Sequence, residues 1–173
     1  MDSIRIAKMV VVGWFSMPEF TIEPADPTAP DVERLLQSHL EYAREWSLPE
    51  NVRVFDSSRL AAEGVWFFAA RSESRLLGIG ALASFEEAHG EIKSMHTVED
   101  ARERGVGWAM LEHLLGTATE QEYRRVSLET GTSEAFSPAR KLYTRAGFKT
   151  CPPFGEYRRC PDSICMTRRL PAL

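Results

Sequence analysis

Only three of the 173 residues are cysteine, Cys151, Cys160 and Cys165, and none of their spacings is CxxC. An odd number gathered near one end argues against the paired framework of a secreted disulfide scaffold, so a reducing, cytoplasmic setting is expected. Histidine is equally sparse. His39, His89, His96 and His113 lie far apart and form no HxxxH or HExxH, so no metal site is expected. Basic residues are not in excess: Lys and Arg total 21 against 25 Asp and Glu, a formal net charge of -4. That balance argues against general nucleic-acid affinity, and Arg158-Arg159 and Arg168-Arg169 read as solvated surface pairs. No apolar run approaches the roughly 20 residues of a membrane span. Residues 9–15 are apolar and follow Arg5 and Lys8, but no small-x-small cleavage site comes after them.

What remains is enough for one core. With 43% hydrophobic and 27% charged residues, the chain reads as a single α/β domain over 17–173, preceded by an extension, 1–16. A short strand at 20–23 and a proline-bearing link lead to a helix whose Val32, Leu35, Leu36, Leu40 and Ala43 recur at three and four, with Thr28 or Asp31 as cap. Leu48-Pro49-Glu50-Asn51 ends it. Residues 53–63 carry no assignable element. The runs 65–70 and 76–85 predict a hairpin, in which Trp66, Phe67 and Phe68 must face both sides of the sheet. A strand at 91–98 precedes a glycine loop, and the next helix puts Val106, Met110, Leu111, Leu114, Leu115 and Ala118 on one face. After a strand at 125–129, Pro138 opens a helix bearing Ala139, Leu142, Tyr143 and Ala146, which Gly147 stops. Runs at 148–151 and 163–168 complete the order β-α-β-β-β-α-β-α-β-β.

The loop between strand and helix is Arg102-Glu103-Arg104-Gly105-Val106-Gly107. Its glycines let several backbone N–H groups converge at the positive end of a helix dipole, a cradle for phosphate; the plainer alternative is an ordinary tight turn. No GKS/T follows it, and no ribose-binding acid stands on a following parallel strand, which argues against a nucleotide-binding protein. Gly131-Thr132-Ser133-Glu134-Ala135 has no final glycine for a nucleophile elbow.

This loop resembles the acetyl-CoA pyrophosphate loop of the GCN5-related N-acetyltransferases (GNATs). Two further segments are similar to that family: Ala139-x-x-Leu142-Tyr143-x-x-x-Gly147-Phe148 and the strand Gly90-Glu91-Ile92-Lys93-Ser94-Met95. With Ser127 to Gly131, Pro138 to Tyr143, Pro153-Phe154, Tyr157 and Met166, they resemble a YsnE-type branch of small bacterial GNATs. The resemblance spans about 20–170 and implies a mixed, mostly antiparallel sheet flanked by helices, with 53–63 near the acceptor pocket. It differs in two places: Phe136 stands where many relatives carry Asn, and His96 where the branch pattern has Arg.

The resemblance also implies roles. The backbone of Arg102, Glu103, Arg104, Gly105, Val106 and Gly107, continuing to Trp108 and Ala109, would hold the pyrophosphate of acetyl-CoA. Main-chain N–H near Met95 would meet the thioester carbonyl, while Ser94, Met95, His96, Thr97 and Val98 run beside pantetheine like an added strand. Tyr143 would lie near the thiol as proton donor; the alternative is a packed helix aromatic. The separation of Glu91 from Gly105 matches the catalytic glutamate of histone-type members, so Glu91 is the first candidate base. Strand alternation puts Glu91, Lys93, Met95 and Thr97 on one face and His96 on the other. A Glu91–Lys93 ion pair is therefore a rival reading, and Lys93 could instead receive a substrate carboxylate. Glu129 is the second candidate base, with a loop-anchoring carboxylate as its alternative. The activity implied is acetyl transfer to a primary amine of a small, amino-acid-like molecule by direct attack in a ternary complex. A protein lysine or N-terminal acceptor, a non-catalytic acyl-CoA-sensing module and a homodimer stay open.

Overall fold

A left-handed Glu73 (φ 52°) turns the apolar stretch 65–86 back on itself, and the hairpin it makes is the middle of a sheet. The computed structural model describes residues 20–48, 51–52 and 54–171. The expected extension 1–16 and the start of the domain at 17 lie outside the described residues. In chain order the elements are β1 (Thr21–Pro24), α1 (Pro30–Trp46), α2 (Ser57–Leu60), β2 (Val65–Ser72), β3 (Arg75–Glu86), β4 (His89–Thr97), α3 (Val106–Glu120), β5 (Arg125–Gly131), α4 (Ser137–Arg145), β6 (Lys149–Cys151) and β7 (Ser163–Arg169). Among the described residues, three short elements add to the expected order: the 3-10 turns Glu99–Ala101 and Glu134–Phe136, and α2, a single turn that Asp56 starts by accepting from the Arg59 N–H at 2.8 Å.

The strands form one sheet in the order β1-β2-β3-β4-β5-β7-β6. Every neighbouring pair is antiparallel except β4 and β5, which α3 joins as a crossover and which therefore run parallel. One face packs on α3 and α4, the other on α1 and α2. Trp66 and Phe68 belong to the α3 side and Phe67 to the α1 side, as three successive strand residues must. Gly80 brings α3 close to the sheet, since a Cβ there would lie 2.8 Å from Met110 Cγ.

Two local expectations are corrected. Neither Thr28 nor Asp31 caps α1: Ala29 occupies the cap position, and Pro30 opens the helix without an N–H to satisfy. Thr28 instead bonds Asp26, and Asp31 takes the Arg71 guanidinium of β2 at 2.7 Å. The pair Arg168-Arg169 is also not all solvated surface. Arg168 Nη1 donates to the Ala146 carbonyl at 2.7 Å, covering a terminal acceptor of α4.

Candidate active site

β4 and β5 stay together for three residue pairs only, His89 with Arg125, Gly90 with Val126 and Glu91 with Ser127. Beyond Glu91 they diverge, and a cleft opens between them. Its walls come from both faces of the sheet: Ile92, Met95 and Tyr143 from the α3 and α4 side, His39, Lys93 and Glu129 from the α1 side. The opening runs through the sheet rather than across one surface.

A bulge shapes the β4 wall. Ala81 of β3 pairs with Lys93 and Ile79 with His96, so β4 carries one residue more than its partner, and Ser94 has φ 52°. The extra residue reverses the alternation expected for a regular strand. Met95 turns to the α3 and α4 side, where it receives the Tyr143 hydroxyl at 3.8 Å, and Thr97 lies beside Gly107. His96 turns instead to the face of Glu91 and Lys93, with its Nδ1 3.3 Å from His39 Nδ1 of α1. The expected shared face of Glu91, Lys93, Met95 and Thr97, with His96 opposite, is thus divided at Ser94.

The glycine loop begins α3. Glu103 (φ 60°) and Gly105 (φ 84°) are left-handed, and Gly105 occupies the cap position with no side-chain cap bond. The first N–H groups of the helix therefore face outward with the dipole behind them. Gly107 has no internal need to be glycine: a Cβ there would meet Thr97 Oγ1 at 3.6 Å and Leu142 Cδ2 at 3.7 Å, ordinary contacts. At Gly105 the space is open, since a Cβ there would meet nothing within 4 Å. An uncapped helix start with an unfilled cradle fits a phosphate-bearing ligand.

Tyr143 lies in the other wall. It is buried, 7% exposed, and burial pushes its phenol well above the usual range, so the group keeps its proton. The sulfur of Met95 is a weak acceptor, leaving the hydroxyl capacity to donate elsewhere.

The two candidate bases are held differently. Glu91 is 7% exposed and accepts from the Tyr157 hydroxyl, with Lys93 Nζ at 3.3 Å from the same carboxylate oxygen. Lys93 Nζ also lies 2.5 Å from the Tyr157 oxygen and 4.5 Å from the centre of the Phe55 ring. The Glu91–Lys93 ion pair weighed from sequence is present. Glu91 does not line the cleft, whereas Glu129 does. Glu129 stands directly across from Cys165 of β7. Tyr157 belongs to the irregular segment between β6 and β7; its place in the branch pattern marked it, but nothing local assigned it a partner 66 positions away.

A sequence model of the acetyltransferase (GNAT) family matches residues 32–148. The chain belongs to the GNAT family. It is 38% identical over 145 residues to the uncharacterized N-acetyltransferase YsnE of Bacillus subtilis (strain 168), covering 84% of this chain and 96% of YsnE. A Klebsiella pneumoniae protein assigned as an acyl-CoA N-acyltransferase superposes with a TM-score of 0.72 at 27% identity, over 87% of this chain and 97% of that one. A GNAT acetyltransferase of Elizabethkingia anophelis, solved with acetyl-CoA bound, gives 0.62 at 19% identity over 89% and 100%. The protein is an acyltransferase of this family with the family's sheet and helices.

In this GNAT chain Phe136 packs against the end of β5. Its ring lies over Gly131, where a Cβ would meet it at 2.2 Å, and edge-on to Tyr42 of α1 at 5.2 Å. Arg140 Nη1 donates to the carbonyls of Gly131 and Ser133, both at 2.7 Å, and so fixes the turn that carries Phe136. Among the described residues, no cluster of three or more His, Cys, Asp or Glu could hold a metal ion, and no helix is long and apolar enough to cross a membrane.

The GNAT scaffold here also carries a pH response. Burial, then the neighbouring His96 and Lys93 charges, lower His39 to about 3, and burial with the Arg102 guanidinium lowers His96 to about 4. Both values lie below the ordinary 6.5, so the unfolded chain binds more protons. The stability these neutral imidazoles contribute is complete above about 6.5 and is lost as pH falls toward 4 and 3. Melting temperature should fall between pH 7 and pH 5 by an amount equivalent to about 2 kcal/mol for each imidazole, and His39→Phe should remove about half of that fall. Equal slopes for both proteins would contradict the assignment.

Proposed function

We propose that this GNAT chain, as one domain over 17–173, transfers the acetyl group of acetyl-CoA to the primary amine of a small, amino-acid-like molecule within a ternary complex. The observation that carries the reading is the cleft through the sheet, with a proton-holding phenol in one wall and a carboxylate in the other. When bound, acetyl-CoA supplies the acetyl group as a thioester. The backbone of Arg102, Glu103, Arg104, Gly105, Val106, Gly107 and Trp108 would hold its pyrophosphate, and Met95, His96, Thr97 and Val98 would flank its arm.

The acceptor would enter from the α1 side. Among the described residues Glu91 and Glu129 bring two carboxylates to this side beside Lys93, and they would favour an ammonium. Glu129, lining the cleft, would take the proton the amine gives up. Glu91, gripped by Tyr157 and Lys93, would add its carboxylate to that preference and is the second base. Tyr143, kept protonated by burial, would give its proton at the thiol end of the cleft. The free thiols of Cys151, Cys160 and Cys165 suit a reducing, cytoplasmic compartment.

Thiol release from acetyl-CoA across a panel of amines and amino acids tests the reading. One or more small amines should accelerate release, and Tyr143→Phe should lower turnover about 10- to 100-fold while acetyl-CoA affinity changes by less than about twofold. Tight acetyl-CoA binding with no release for any amine would make the domain a sensor, not a catalyst.

A further inference from the structure

An acceptor that enters the cleft as an ammonium gives up two protons on its way to an amide, and the departing thiolate takes back only one. Glu129 and Tyr143 account for the proton that ends on sulfur. The other has to leave the cleft.

His39 of α1 lines the cleft, and its Nδ1 is 3.3 Å from Nδ1 of His96 on β4. With Nδ1 committed to His96, Nε2 is the ring nitrogen that His39 has left for the cleft. Neither Nε2 has a partner among the described residues, and neither is sealed off: the partnerless side-chain atoms cut off from the surface there are Ser94 Oγ, His113 Nε2 and Ser133 Oγ. Two neutral imidazoles that meet through Nδ1 cannot both carry a proton at the contact. One ring donates from Nδ1 and has a bare Nε2; the other accepts and keeps its proton on Nε2. The pair therefore holds one acceptor and one donor at its two outer ends, and a proton taken at one end releases a proton from the other. This exchange leaves both rings neutral. Burial, then the His96 and Lys93 charges, oppose a cation at His39, and burial, then the Arg102 guanidinium, oppose one at His96, where the Tyr42 ring also packs at 6.1 Å. A plain base at His39 would have to hold a charge that its surroundings resist, whereas an exchange of tautomers holds none.

We propose that His39 and His96 form a relay that carries the excess proton of an ammonium acceptor out of the cleft. This rests on the transfer reading above and adds the path that an ammonium acceptor requires. An N–H bond of the ammonium breaks, its electron pair stays on nitrogen for the attack, and the proton joins His39 Nε2. The proton on His39 Nδ1 passes to His96 Nδ1, and the proton on His96 Nε2 passes to water. After the products leave, water in the open cleft takes the proton from His39 Nε2, His96 Nδ1 returns its proton to His39 Nδ1, and His96 Nε2 regains one from water. One proton per turnover has then reached solvent. His39 meets the acceptor, and His96 acts through it.

Steady-state kinetics of the unaltered protein, His39→Gln and His96→Gln test it with two acceptors. One is the best primary amine of the thiol-release panel, an ammonium at pH 7; the other is an alkoxyamine of matching length, neutral at that pH and without an excess proton. With the amine, kcat should fall about 10- to 100-fold in both variants, and with the alkoxyamine by less than about twofold. The loss with the amine should also shrink as pH rises toward the amine's own pKa. His96 does not line the cleft, so a loss there confined to the ammonium form is not what a packing defect produces. Melting temperature at pH 7 checks each fold, and if one variant is unfolded the other decides by the same comparison. Equal losses with both acceptors, or a loss that stays constant as pH rises, would overturn the relay in favour of a structural pair. Undiminished turnover of the amine in either folded variant would overturn it as well. No thiol release from the unaltered protein with any amine would overturn the transfer reading itself, and the relay with it.

Discussion

Gly107→Glu should weaken acetyl-CoA binding by about a hundredfold or more while leaving the fold intact. The position makes the two effects separable. A Cβ at 107 meets its neighbours at 3.6 and 3.7 Å, so the protein tolerates a side chain there. A carboxylate in the first turn of α3 even suits the helix dipole in the ligand-free protein. With a pyrophosphate over the same N–H groups, it would place like charges within a few ångströms in a partly shielded site, and the penalty becomes large. Gly107→Ala should raise melting temperature slightly, as alanine favours helix over glycine, and weaken binding only through crowding. Unchanged affinity in Gly107→Glu would remove the loop from the cofactor site.

Glu129→Gln should lower turnover by about 10²- to 10⁴-fold, the range for loss of a general base, with acetyl-CoA affinity little changed. The comparison with Glu91→Gln decides between the carboxylates. Glu91 is 7% exposed and committed to Tyr157 and Lys93, so its loss removes a carboxylate held 3.3 Å from the buried Lys93 ammonium. The expected result for Glu91→Gln is a lower melting temperature and a raised KM for the amine, with a smaller fall in kcat than Glu129→Gln. Steady-state kinetics with the best amine, alongside thermal melts, separate these effects. A larger kcat loss for Glu91→Gln at undiminished stability would reverse the assignment.

The legible parts of this chain share a property: their signals are local. The repeat of Val32, Leu35, Leu36 and Leu40, the alternation through 65–85, the left-handed Gly147 and the glycines at 105 and 107 are each read within a few residues. The order of elements and the loop at α3 follow from them. The single turn α2 spans four residues, too few for a helical period, and passed unread.

The bulge at Ser94 was hidden for another reason. In Gly90-Glu91-Ile92-Lys93-Ser94-Met95 two successive polar residues separate Ile92 from Met95, a single break in alternation that does not by itself place a bulge, and no glycine marks where an extra residue is inserted. Its position depends on where β4 leaves β5, a tertiary event. Every side-chain assignment downstream, His96 above all, inherited the error of one residue. Tyr157 was obscured by distance, since it closes on Glu91 from an irregular segment after β6.

The central claim is that the uncapped start of α3 and the adjoining cleft form an acetyl-CoA site. Calorimetric titration of the purified protein with acetyl-CoA, with NAD and ATP run in parallel, tests it most directly. Selective binding of acetyl-CoA in roughly the micromolar range is the predicted result. No binding, or equal binding of all three, would contradict the account and leave a GNAT fold whose cleft serves another ligand.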